Sequence, residues 1–319
     1  MGVTLIFPGQ GSQYVGMGKN LTAAESQVVF DKANQASGFE LTSLMFSGPE
    51  EELGLTENTQ PAIVAHSIAL FEKLKNLLDE KNISIDQVLG HSVGEYSALV
   101  ASGVLSIEDA IKAVKSRGKF MQEAAPPGVG KMFAVLRVPA QVVAQACEQV
   151  SCAQFQVMPA NFNEPTQTVI SGHAQACEKA IKWIEENFEG RYRAIELKVS
   201  APFHSTLMKP AEAKLADFLD DCHFNNSTMA YIANIDAKKY DVATSGEQIK
   251  QNLIKQVCGS VLWNQSIDNL SSETVFIEVG PGKVLKGLNK KINKEMRTYN
   301  LDCDEGFDGL LEFLNECNL

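Results

Sequence analysis

Ser92 stands in Val88-Leu89-Gly90-His91-Ser92-Val93-Gly94-Glu95-Tyr96, where an apolar run meets Gly-x-Ser-x-Gly and a helical pattern follows. This is the form of a nucleophile elbow. A serine on a sharp strand-to-helix turn needs neighbouring chain packed close on both sides, and glycines at 90 and 94 permit that approach. The turn would lift the hydroxyl out of a sheet and aim the Val93 amide, at a helix N-terminus, toward a developing oxyanion. The other reading of the stretch is an ordinary strand-turn-helix connection. A serine nucleophile needs a base. Of the five histidines, His204 is best placed, on a loop where a returning strand meets a new helix in Ser200-Ala201-Pro202-Phe203-His204-Ser205. A lone loop histidine is otherwise a surface residue. Arg117 is the third group. It falls at the edge of the apolar face Ile107, Ala110, Ile111, Val114, Gly118, Met121. A guanidinium turned inward keeps its proton and needs an anion. A structural ion pair or a snorkelling side chain would also account for it.

These groups require elements to carry them. Val3–Phe7 reads as a buried strand closed by Pro8-Gly9-Gln10-Gly11-Ser12-Gln13, which lacks the third glycine of a dinucleotide fingerprint. Helices are expected over 22–37, from Pro61 as a first-turn residue through Leu77, and from the cap Ser106 to about Ala125. Pro126-Pro127-Gly128 marks a break. Beyond it, residues 131–138, 140–150, 155–161, 166–171, 174–188 and 191–199 read in the order βαββαβ, the ferredoxin-like split unit. A helix to about Cys222, strands at 229–233 and 274–279, and a helix at 247–257 complete the chain. The fold class expected is α/β, with a large domain formed by 1–127 and 200–319 and an inserted ferredoxin-like domain at 128–199. Gly280-Pro281-Gly282-Lys283 misses P-loop spacing, and the helix after it carries Lys283, Lys286, Lys290 and Lys294 as a basic stripe.

Composition bounds the rest. The 319 residues can bury a large core. A net charge of −11 argues against nucleic-acid binding. Seven scattered cysteines without a Cys-x-x-Cys pair suggest neither a zinc site nor a disulfide framework, and reduced thiols fit a cytosolic protein. The sequence shows no signal-peptide pattern and no apolar run approaching membrane-spanning length, so a cytoplasmic protein is expected.

Six segments in order carry a family resemblance: Phe7-Pro8-Gly9-Gln10-Gly11-Ser12-Gln13, Gly90-His91-Ser92-Val93-Gly94-Glu95-Tyr96-Ser97-Ala98-Leu99, Arg117-Gly118-Lys119-Phe120-Met121-Gln122, Asn161-Phe162-Asn163, Phe203-His204-Ser205 and Glu278-Val279-Gly280-Pro281-Gly282-Lys283. Together the chain resembles the malonyl-CoA:acyl carrier protein transacylases over nearly its whole length. The resemblance implies an α/β-hydrolase-like large domain with a ferredoxin-like insert. It implies Ser92 as nucleophile, His204 as base, the Gln10 and Val93 amides as oxyanion hole, and Arg117 on the malonyl carboxylate. The histidine would be oriented by the Gln256 backbone carbonyl rather than by an acidic residue. Asn161 and Asn163 would lie near the site, and Phe203 would crowd an α-methyl branch. No metal or bound cofactor is implied; the substrates are malonyl-CoA and phosphopantetheinylated acyl carrier protein. A monomer is expected, with the lysine stripe as a docking patch for the acidic carrier. A serine hydrolase and a loader of polyketide carriers are the competing readings.

Overall fold

The computed structural model describes residues 2–319. Its strands in chain order are β1 (Val3–Phe7), β2 (Ile85–Gly90), β3 (Gly130–Leu136), β4 (Val157–Glu164), β5 (Gln167–His173), β6 (Arg193–Glu196), β7 (Tyr231–Ile232), β8 (Lys239–Tyr240), β9 (Val275–Val279) and β10 (Arg297–Leu301). β1 and β9 are buried at every position, because both of their faces are covered and a continuous apolar run suits that place. They sit inside a six-stranded sheet ordered β10-β9-β1-β2-β7-β8. All its pairings are parallel except the short β7–β8 hairpin. The chain leaves β1 to one side toward β2, while β9 pairs on the other side. The carboxyl ends of β1 and β2 therefore open at a switch point, where parallel sheets place their ligand crevices. Phe7 pairs with Gly90, so the loops carrying Gln10 and Ser92 emerge side by side.

A second sheet, ordered β4-β5-β3-β6, is antiparallel throughout. With the helices Ala140–Val150 and Ala174–Asn187 it makes the expected βαββαβ unit, around an apolar cluster of its own that includes Val135, Val143, Ile170, Ala180 and Ile184. The fold class is α/β, an α/β-hydrolase-like large unit with a ferredoxin-like small one.

Several elements differ from their sequence readings. The long helix runs Thr56–Glu80, so Pro61 is its sixth residue rather than a first-turn one. The leading turn was hidden because it is polar, yet Thr56, Thr59 and Gln60 are buried. Their chemistry serves an interior polar site rather than solvent. The strand expected over 191–199 pairs only at Arg193–Glu196. Leu197 and Val199 alternate because they pack on the large core and line the cleft. Only Tyr231–Ile232 of 229–233 joins the sheet. A 3-10 turn, Thr206–Met208, precedes the helix Lys209–Leu219, which stops short of Cys222. The lysine-bearing helix is Val284–Ile292, so Lys283 is its cap and Lys294 lies beyond its end. Lys286 and Lys290 remain on it and are exposed.

Candidate active site

Ser92 has a backbone φ of 52°. That left-handed conformation costs a non-glycine residue about 1 kcal/mol or more and has to be held from outside. Two interlocking glycines begin the job. A Cβ on Gly90 would strike the Gly94 backbone, and one on Gly94 would strike the carbonyls of Phe7 and Pro8. The end of β1, the elbow and the following helix, Gly94–Ala101, thus pack backbone on backbone.

Two side-chain amides finish it. Asn234 Nδ2 donates to the Gly90 carbonyl at 2.6 Å, and Asn234 Oδ1 accepts from the Ser92 amide at 2.7 Å. Gln256 Nε2 donates to the Ser92 carbonyl at 3.0 Å. Both backbone polar groups of the strained serine are therefore held. Asn234 is the second residue past β7, at the carboxyl end of a parallel strand. That position was its only sequence signal, and it carries no role in the sequence reading.

His204 Nε2 lies 2.7 Å from Ser92 Oγ. Its other nitrogen, Nδ1, lies 2.9 Å from the Gln256 carbonyl and 3.2 Å from that of Gly259. Carbonyls only accept, so Nδ1 carries the hydrogen and Nε2 presents a lone pair to the serine. Burial, and next the charge of Arg117, push the imidazole down to about 3. The ring is thus a neutral base. His204, like Ser92, has a positive φ, 54°.

Arg117 is 1% exposed. Its helix, Ile107–Glu123, opens with the expected cap, in which Ser106 Oγ accepts from the Asp109 amide. Gly118 lets this helix press on the start of Thr56–Glu80; a Cβ there would come within 2.7 Å of the Thr56 carbonyl oxygen. The approach brings Gln60 to the guanidinium, whose Nη1 donates to Gln60 Oε1 at 2.8 Å. Nη2 donates to Gln256 Oε1 at 3.0 Å and to Ser92 Oγ at 3.1 Å. Among the described residues, Nε has no partner. Gln60 is another site residue whose role the sequence reading missed, because it was read as the opening of the long helix, where a polar residue is ordinary.

Gln10, Val93, Asn161, Phe203, Met121, Met132, Leu197 and Val199 line the cleft around these groups. Asn163 lies one step back, where its Oδ1 meets His91 Nε2 at 2.9 Å. The lysines at 283–294 are outside the cleft. The loop before them packs on the loop that follows β1: a Cβ on Gly282 would lie 3.2 Å from the Ser12 carbonyl, two residues on from Gln10. Among the described residues no cluster of His, Cys, Asp or Glu could hold a metal ion, all seven cysteines are free, and no helix is long and apolar enough to cross a membrane.

The model of the acyl transferase domain family matches residues 4–301. A malonyl CoA-acyl carrier protein transacylase of Bacillus subtilis (strain 168) is 44% identical over 99% of this chain and 98% of its own. The crystal structure of a malonyl CoA-acyl carrier protein transacylase from Clostridium perfringens superposes with a TM-score of 0.90 at 39% identity, covering 100% of this chain and 98% of that one. A malonyl-transacylase solved in complex with its type II PKS acyl-carrier protein superposes at 0.89 with 35% identity, over 98% of this chain and 99% of that one. The chain belongs to the acyl transferase domain family, among the malonyl CoA-acyl carrier protein transacylases.

Proposed function

We propose that this acyltransferase moves a malonyl group from malonyl-CoA to the phosphopantetheine thiol of an acyl carrier protein, through a malonyl ester on Ser92. The observation that carries the reading is the convergence of a base and a carboxylate receptor on one hydroxyl, His204 Nε2 at 2.7 Å and Arg117 Nη2 at 3.1 Å.

His204 takes the Ser92 proton as Oγ attacks the thioester carbonyl, and returns it to the departing CoA thiolate. The Gln10 and Val93 amides receive the oxyanion. Both residues line the cleft, and among the described residues neither amide donates to another protein group. The Ser92 amide cannot serve, because Asn234 holds it. Arg117 turns its fork onto the malonyl carboxylate. Gln256 and Gly259 orient the imidazole through their carbonyls, so no acidic third member is called for. In the second half-reaction the carrier thiol attacks the ester, with His204 again as base. Phe203 narrows the pocket beside His204, and Asn161 and Asn163 support its wall. No step calls on a metal or bound cofactor.

The large domain, 1–127 and 200–319, supplies nucleophile, base and clamp. The inserted domain, 128–199, supplies Met132, Asn161, Leu197 and Val199 as the opposite wall. The exposed lysines 283, 286, 290 and 294 offer an acidic carrier a complementary surface outside the cleft. The polyketide carrier in the related complex favours a carrier protein as acceptor without separating fatty-acid from polyketide supply. Initial rates against both substrates test the scheme. Parallel double-reciprocal lines are expected. Intersecting lines, or release of malonate to water as fast as transfer to the carrier, would favour a different mechanism or a serine hydrolase.

A further inference from the structure

A guanidinium buried as deeply as Arg117 needs an anion, yet among the described residues its hydrogen-bond partners are all neutral: Gln60, Gln256 and Ser92. The nearest link to an anion runs through one amide. Gln256 accepts from Arg117 at Oε1 and donates at 2.7 Å from Nε2 to Glu95 Oε2. Glu95 is 1% exposed. The same Oε2 accepts from the Asn234 amide at 3.2 Å, and Oε1 has no partner. The carboxylate thus ties together the two residues that hold the Ser92 backbone, Gln256 through its side-chain amide and Asn234 through its backbone amide. It also polarises the Gln256 amide in the same sense as Arg117 does.

We infer that Glu95 is a positioning residue that balances Arg117 from one amide away, and that its charge competes with the substrate carboxylate and so sets the malonyl preference of the clamp. The inference rests on the proposed function. A direct ion pair would occupy the fork. A carboxylate at one remove steadies the guanidinium and leaves the fork for substrate. When malonate binds, Glu95 and the substrate share one cation, so an ionised Glu95 weakens malonyl binding and leaves acetyl binding unaffected.

Burial pushes the Glu95 carboxyl up to about 7, against the smaller opposing effects of Gln256, Asn234 and Arg117; Asp236 adds to the rise. The other titratable groups facing it are Tyr96, Tyr231 and Tyr240, all raised by burial and neutral below pH 9. His204 stays neutral across the same range. The ratio of malonyl to acetyl transfer cancels what His204 and the CoA moiety contribute to both reactions, and so isolates Glu95.

Single-turnover acylation of Ser92 by malonyl-CoA and by acetyl-CoA, followed from pH 6 to 8.5, tests this. In wild type the malonyl/acetyl ratio of kcat/KM should fall roughly fivefold as pH rises, the order expected of one charge acting across a side-chain amide. Glu95→Gln keeps an oxygen for both donors and removes the charge, so its ratio should stay flat at the wild-type pH 6 value. Glu95→Ala should slow both acyl groups alike, and the glutamine should restore them. A pH-independent ratio in wild type overturns the inference, as does a Glu95→Gln enzyme that keeps the wild-type slope. If the variant does not fold, the wild-type profile alone decides. Absence of a malonyl preference at every pH would instead contradict the proposed function.

Discussion

Arg117 Nη2 donates to Ser92 Oγ across 3.1 Å, so the proposed carboxylate clamp and the proposed nucleophile touch before any substrate arrives. The same hydroxyl gives its hydrogen to His204. In the proposed mechanism an acyl group bearing a carboxylate draws the fork away from the serine oxygen and releases a lone pair for attack. An acetyl group offers the fork nothing.

Arg117→Ala should therefore lower malonyl transfer by about 10²- to 10³-fold, the equivalent of about 3–4 kcal/mol for breaking a buried charge-assisted contact. The malonyl/acetyl preference should narrow with it. Arg117→Lys keeps a charge without the planar fork and should recover only part of the loss. Competition kinetics with the two CoA esters measures both. An alanine enzyme with undiminished preference would remove Arg117 from the clamp.

The depressed His204 predicts an unusual pH profile. A general base works when unprotonated, and an ordinary histidine would lose activity below about pH 6.5. With its folded value near 3, His204 remains a base throughout the neutral and mildly acidic range. The kcat/KM for malonyl-CoA should show no tenfold-per-unit acid limb between pH 8 and pH 5. The same shift acts on stability. Between about 3 and 6.5 the unfolded chain binds a proton that the folded one excludes, so this group's contribution falls as pH drops through that window, by about 1.4 kcal/mol per unit. An acid limb centred near 6.5 would contradict the buried, Arg117-facing environment.

Asn234 holds the elbow from both sides, through the Gly90 carbonyl and the Ser92 amide. Asn234→Ala frees a strained backbone and leaves two buried groups unpaired. We expect acylation to slow by about 10- to 100-fold, in line with about 1–3 kcal/mol for such a loss. The fall should lie in kcat more than in KM, since no substrate contact is removed. A variant impaired only in KM would place Asn234 in substrate binding instead.

Charge reversal at Lys286 and Lys290 should raise KM for the carrier protein, with a strong dependence on salt, and leave KM for malonyl-CoA unchanged. Equal effects on both substrates would count against docking there.

How much of this was legible in the chain follows from physics at particular residues. Ser92 was readable because a strained elbow demands glycines at 90 and 94, and sequence records glycine directly. The sheet strands were readable because burial on both faces leaves continuous apolar runs such as Val3–Phe7. Arg117 was readable as an anomaly, a charge at the margin of an apolar helix face, although the carboxylate proposed as its partner came from the resemblance. The roles of Gln60 and Thr56 were not readable, because polar residues at a helix start look solvent-facing until the cleft they face is known. Asn234 and Glu95 act through bonds to residues more than a hundred positions away, and no local pattern announces such a contact. The lysine stripe overran its helix because spacing alone does not show where Glu278 caps it, through the Leu285 and Lys286 amides.

The proposed mechanism turns on a malonyl ester that forms on Ser92 and is handed to a carrier thiol. Intact-mass measurement after mixing with malonyl-CoA tests it directly, with acetyl-CoA and Ser92→Ala as controls. Wild type should show a malonyl adduct and little acetyl adduct, the variant none, and holo acyl carrier protein should discharge the adduct much faster than water does. An adduct that persists in Ser92→Ala, or one that water removes as fast as the carrier does, would contradict it.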